Sequence, residues 1–259
     1  MAKYAPHLDL FKVINSLSVI ERIIFWIILA LSVTSTVFNK ITVPQDVTDI
    51  MNILNIIGIG LFFTIGILVE YVFLPQADSK RRDDFIDNSF GSKFSPKNSI
   101  EYYDNDEIGT GLYKASVNLF ENCFFTYSLT KIVTISKIIV PTIMLILMII
   151  ISYFGFKEVP FALSILQTLF SANILGSLIK HIILTNKLSD IQDSFIQLFQ
   201  NEDFKTNTYK YQASIYRYWL QYETLHSKIS AGIPDAVFQN NNETLTTEWE
   251  KIKSQYNIS

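Results

Sequence analysis

Apolar and polar residues fall into long alternating blocks along this chain. Four runs are apolar enough, and near enough to the 20 or so residues a helix needs, to cross a bilayer: residues 20–38, 50–74, 138–156 and 159–184. The first has Trp26 inside it and a polar end at Ser32, Thr34, Ser35 and Thr36. The second is interrupted by Asn52, Asn55 and Glu70, with Gly58, Gly60 and Gly66 where a neighbouring helix can approach closely. The third is aliphatic with Pro141 near its start, and the fourth holds Gln167, Ser171, Asn173 and Ser177 before Lys180 and His181. Short connections join the runs into two hairpins, separated by a polar insert.

The polar blocks carry helical stripes of their own. Leu10, Phe11, Ile14 and Leu17, with Lys3 and Lys12, predict a short amphipathic segment over residues 1–19. In the insert (residues 76–133), Leu112, Ala115, Leu119 and Cys123 mark a helix running towards the third span. Beyond the fourth, Leu188, Ile191, Phe195 and Leu198 extend the pattern as a stalk. After a polar break at 201–207, Tyr211, Ile215, Tyr218, Tyr222, Leu225 and Ile229 recur at steps of four and three. Pro234 ends that pattern, and Leu245, Trp249, Ile252 and Tyr256 begin a last one. The expected fold is an all-α integral membrane protein: four transmembrane helices as two hairpins (residues 20–75 and 134–185), plus a cytoplasmic helical domain assembled from the insert and the tail (residues 186–259).

Composition agrees with lipid as the solvent of half the chain. Of 259 residues, 49% are hydrophobic, and the mean hydropathy is +0.26. A net charge of −3 offers no basic surface for a DNA or RNA duplex. One cysteine, Cys123, excludes an intramolecular disulfide, and three histidines make a histidine-built zinc site improbable. Residues 31–36 offer no small-x-small cleavage site, so the first run is read as a span and not a cleaved leader. Lys80, Arg81 and Arg82 follow the second run, Lys131 and Lys137 precede the third, and Lys180, Lys187 and Lys205 follow the fourth. The two short connections hold one lysine each. The excess of positive charge places the insert and both termini in the cytoplasm.

Candidate chemistry gathers in the insert and the tail. The basic cluster at 80–82 suits an anchor on anionic lipid, or a phosphate site. Asp83, Asp84 and Asp87 follow at DDxxD spacing, which can hold Mg²⁺ on a diphosphate but serves more commonly as helix-terminal charge and ion pairing. Asp104, Asp106 and Glu107 make a poor second acidic set for a transferase. Tyr102, Tyr103, Tyr113, Phe120, Phe124 and Phe125 are core aromatics or a stacking wall for a nucleobase, with Arg81, Arg82 or Arg217 on phosphate. Arg217 and Glu223 suit a pair on one helix equally well. In the spans, Asn52, Asn55, Gln167, Asn173 and Ser177 are interhelical hydrogen-bonding groups or, in an assembly of several protomers, a pore lining. Catalytic triads, glycine-rich phosphate loops and His/Cys metal spacings are absent, so no enzyme activity and no cofactor are expected; the alternatives are a Mg²⁺-dependent membrane transferase using the DDxxD cluster and a helical membrane scaffold whose tail recruits a partner.

The order of these parts resembles a known family. Arg82, Asp84, Asp87 and Gly91 open the insert; Tyr102, Tyr103 and Asn105 lie in EYYDND; Glu121, Asn122, Phe124 and Phe125 lie in ENCFF; and Tyr222, Glu223, Ile233 and Pro234 lie in YETL and GIPD. In this order, across nearly the whole chain, they resemble the bacterial SMODS-associated four-transmembrane pore-forming effectors of antiphage signalling. The resemblance implies an inner-membrane homo-oligomer that disrupts the bilayer under control of a cyclic nucleotide or oligonucleotide. With Arg81 and Arg217 added from the phosphate reading of the basic residues, the ligand residues expected in this chain are Arg81, Arg82, Asp84, Asp87, Tyr102, Tyr103, Asn122, Arg217, Tyr222 and Glu223.

Overall fold

A computed structural model describes residues 4–38, 44–97, 99–100, 102–103, 105–154 and 174–258. Among these residues the regular structure is helical: α1 (Leu8–Phe38), α2 (Gln45–Leu68), a π-helical stretch (Val69–Phe73), α3 (Leu74–Phe90), α4 (Leu112–Phe154), α5 (Ile174–Phe199), a 3₁₀ turn (Thr208–Tyr211), α6 (Gln212–Lys228) and α7 (Asp235–Gln255). The only strand-like pairing among them is an isolated bridge between Tyr4 and Ile100. Among the described residues three stretches are long and apolar enough to cross a membrane: Leu8–Ser35, Gln45–Phe90 and Leu112–Ile146. Most of the fourth expected span lies outside the described residues. The N-terminal amphipathic stretch and the first span form one helix, since no Gly or Pro interrupts Leu8–Phe38.

The chain divides into two compact units, residues 13–73 with 135–179, and residues 1–12 with 74–134 and 180–259. In the first unit, α1 and α2 form an antiparallel hairpin whose register can be followed pair by pair. The Ser35 hydroxyl donates to Asn52 Oδ1 at 2.7 Å. One helical turn on, Asn55 Nδ2 donates to Ser32 Oγ at 2.8 Å. Next, Gly58 lies against Ile28, where an added Cβ would sit 3.1 Å from Cγ1. The Phe25 and Phe62 rings follow at 6.4 Å, and Gly66 lies against the Glu21 carboxylate. The outward faces carry bare Ile20, Ile23, Trp26, Ile53, Ile57 and Phe63. Such exposure costs a water-solvated helix dearly and is neutral against hydrocarbon.

The π-helical stretch has a covalent cause in Pro75, two residues beyond it. Proline supplies no N–H to the carbonyl four residues back and its ring crowds that carbonyl; widening the turn to the i+5 pattern relieves both.

The second unit is built around the first six turns of α4. Ala115, Val117, Leu119, Phe120 and Cys123 are wholly buried, as are Ser116 and Asn118, so this helix has no solvent face and is the centre of the bundle. Phe120 stacks on Phe195 at 5.8 Å and on Phe199 at 5.4 Å, both from α5. The indole of Trp249, from α7, meets Phe120 edge-on at 5.2 Å. The α5 stripe expected from the sequence, Leu188, Ile191, Phe195 and Leu198, faces this core, and Leu184 extends it by one turn, each at most 5% exposed. α6 ends at Lys228, where Ile229 turns extended, ahead of Pro234; Pro234 instead caps the start of α7.

Candidate functional site

In the second unit, α3 buries a polar face. Asp78, Arg81 and Asp84 recur every three residues, so they share one side of the helix, and all three are buried. Opposite them α6 presents Tyr222, Glu223 and His226 at i, i+1 and i+4. The Arg81 guanidinium grips Glu223 with both nitrogens, Nη1 to Oε1 at 3.2 Å and Nη2 to Oε2 at 2.6 Å. Its Nε lies 3.6 Å from Asp78. The guanidinium carbon stands 5.8 Å from the centre of the Tyr222 ring, whose hydroxyl is 3.2 Å from Thr126 Oγ1. Arg82 stays at the rim, 4.0 Å from Glu223 with its side chain 39% exposed.

Two histidines complete the cluster. The His226 ring lies 4.7 Å from that of Tyr222, and His7 meets Tyr102 edge-on at 5.1 Å. Burial, with the charge of Arg81 adding to it, lowers His7 to about 4 and His226 to about 3, so both imidazoles are neutral at pH 7. Burial likewise pushes the Tyr102 phenol up to about 12 and raises Tyr222. The guanidinium of Arg81 faces Glu223 and Asp78, and burial raises the carboxyls of Asp78 and Asp84. His7 Nδ1, His226 Nε2 and Asp84 Oδ2 are buried without a hydrogen-bonding partner, an uncommon density of unmet polar atoms for a packed interior.

The remaining expected ligand residues part company here. Asp84 Oδ1 accepts the Ser99 amide at 2.9 Å. Asp87 is the clamp of the loop after α3: it accepts the Ser92 hydroxyl at 2.7 Å and the Phe94 and Ser95 amides at 2.8 and 2.6 Å. That loop turns at Gly91, whose φ of 71° is open to glycine and strained for other residues. A carboxylate filled by three donors is poorly placed to chelate Mg²⁺, so the DDxxD spacing reads here as loop architecture. Tyr103 is buried and neighbours Asn122. Arg217 is exposed and lies apart from the cluster, on a groove between α5 and α6; the partner of Glu223 is Arg81, not Arg217.

Among the span residues, Asn52 and Asn55 are engaged with α1 hydroxyls. Ser177 is exposed on α5, while Gln167 and Asn173 lie outside the described residues.

A second polar network lies under the insert. Asn105 Nδ2 donates to Asn118 Oδ1 at 2.9 Å and to Glu121 Oε2 at 2.7 Å, and Asn118 Nδ2 donates to Asn88 Oδ1 at 2.9 Å. Asp78, Asn118 and both clustered histidines escape reasoning on the sequence. For His226 a signal exists, because it stands four residues after Tyr222 on the same helical face. The chain matches no protein-family model, no curated protein and no solved structure in comparisons with known proteins.

Proposed function

We propose that this chain is a membrane effector of bacterial antiphage defence, one that assembles into homo-oligomers and permeabilises the inner membrane under control of a cyclic nucleotide or oligonucleotide. In this reading the second unit and both termini are cytoplasmic and sense the ligand, and the apolar helices act on the bilayer. The observation that carries it is the Arg81–Glu223 pair. A buried bidentate guanidinium that joins the helix emerging from an apolar span to a helix of the tail is a contact an anionic ligand can exchange.

The chemistry of that exchange is specific. A phosphate reaches Arg81 only by replacing Glu223, which leaves the displaced carboxylate beside Asp78 and loosens α6 from α3. The Tyr222 ring stands beside that position and suits a base, and Tyr102, stacked edge-on with His7, supplies a second aromatic surface in the same unit. Ligand then shifts the protein between two states to the extent that it binds them with different affinity. The likeness in motif order to the SMODS-associated effectors supplies the biological setting.

Purified protein in dye-loaded liposomes tests both halves. Titration with cyclic di- and trinucleotides is expected to release heat on binding and to change dye release; Arg81→Ala abolishes both, and Arg217→Ala leaves both intact. Absence of binding by every such nucleotide refutes the sensor. Binding without any change in leakage, in liposomes or in living cells scored for depolarisation, refutes the effector.

A further inference from the structure

We infer that the groove between α5 and α6 is a docking site for an acidic amphipathic helix of a partner protein. The groove encloses about 1140 Å³ and runs beside α6 from Ala213 to Lys228. At about 1.5 Å per residue this is some 22 Å, or four helical turns, the length over which a helix of about 15 residues lies in contact. Its lining mixes polar side chains with an apolar strip of Ile191 from α5 and Leu225, Tyr218 and Leu220 from α6. Tyr216 and Leu220 project beside it, 48% and 67% exposed, on the face of α6 turned away from the core. Large apolar side chains displayed at i and i+4 beside a groove are what the apolar stripe of an amphipathic helix requires.

Charge selects the kind of helix. The lining holds three cations, Lys187, Arg217 and Lys228, against one acid, Asp190. That acid is already taken by Lys187 at 3.2 Å. Arg217 and Lys228 therefore face the groove with no acid in its lining left to meet them, and a helix with carboxylates along its edges supplies the missing charge. A planar bilayer fits less well, because the apolar lining residues are interleaved with Ser194, Gln197, Gln221 and Thr224 from two helices, and partners for those come from a helix and not from hydrocarbon. The inference stands on these residues alone and is independent of any ligand at Arg81.

The probe is a displayed library of 15-residue helical peptides, selected against the full-length protein in phosphatidylcholine nanodiscs. The expected result is enrichment of sequences with an apolar stripe at i, i+3/i+4 and i+7 flanked by Glu or Asp. Arg217→Glu with Lys228→Glu should weaken a selected peptide at least tenfold, as should Leu220→Asp, and Glu→Lys replacements in the peptide should restore binding to the charge-reversed protein. All three positions are exposed, so circular dichroism is expected to be unchanged. Enrichment without acidic flanks, binding indifferent to the substitutions, or no enrichment overturns the inference. So does groove-dependent sedimentation with phosphatidylglycerol vesicles in place of peptide binding.

Discussion

Arg81 is the residue on which the candidate site turns, because its charge is buried and its partner comes from 142 positions away. Removing one member of such a pair strands the other without water, so Arg81→Ala or Glu223→Ala is expected to lower stability by about 3–5 kcal/mol. The double replacement by Met should cost far less, since no charge is then left unpaired. Chemical unfolding of the solubilised protein, followed by the fluorescence of Trp219 against Phe85 and Phe90, distinguishes the two outcomes. The clustered histidines add a pH dependence with a defined sign. Each binds a proton more readily unfolded, near 6.5, than folded, near 4 for His7 and 3 for His226. Their contribution is complete above about pH 6.5 and is lost as pH falls towards the folded values, by roughly 2 kcal/mol per histidine between pH 7 and pH 5. Denaturant midpoints at those two pH values should diverge in the native chain and converge in a His7→Gln/His226→Gln variant.

At the scale of elements, the α1–α2 hairpin has a register set by alternating kinds of contact. Hydrogen bonds between spans contribute only about 0.6 kcal/mol each, so Ser35–Asn52 and Ser32–Asn55 fix alignment more than they hold the hairpin together. Close approach at Gly58 and Gly66 allows that alignment by bringing the backbones near. In a Cys123→Ala background, Ser32→Cys with Asn55→Cys should form a disulfide on mild oxidation, and so should Ser35→Cys with Asn52→Cys. The mismatched pair Ser32→Cys with Asn52→Cys should not; equal cross-linking of all three would refute this register. Gly58→Leu should weaken the cross-linking of both matched pairs, because even its Cβ would stand 3.1 Å from Ile28 Cγ1 and force that side chain aside.

The second unit is one cooperative core drawn from three separated stretches of chain. Trp249 touches both Phe120 and Phe124 and is 1% exposed. Trp249→Ala is expected to cost about 3–5 kcal/mol through the cavity it leaves. Because insert and tail share that core, protease cuts in the loop at 91–97 and in the tail near 201–207 should appear together as the variant opens. Cuts confined to the tail would mean that the insert folds without it.

What the sequence by itself determined was local and periodic. The core face of α5, the α6 and α7 stripes and the apolar spans are legible because a helix returns side chains to one face every 3.6 residues, whatever else surrounds it. Arg81, Tyr102, Tyr222 and Glu223 were legible only as separate candidates, Arg81 from the basic cluster and the other three also from the family resemblance. Their pairing, the inclusion of His7 and His226, the separation of Arg217 and the use of Asp87 as a loop clamp were decided by the tertiary structure. The reason is physical: a buried charge must find its counter-charge wherever the fold brings one near, and no periodicity along the chain records a partner 142 residues away.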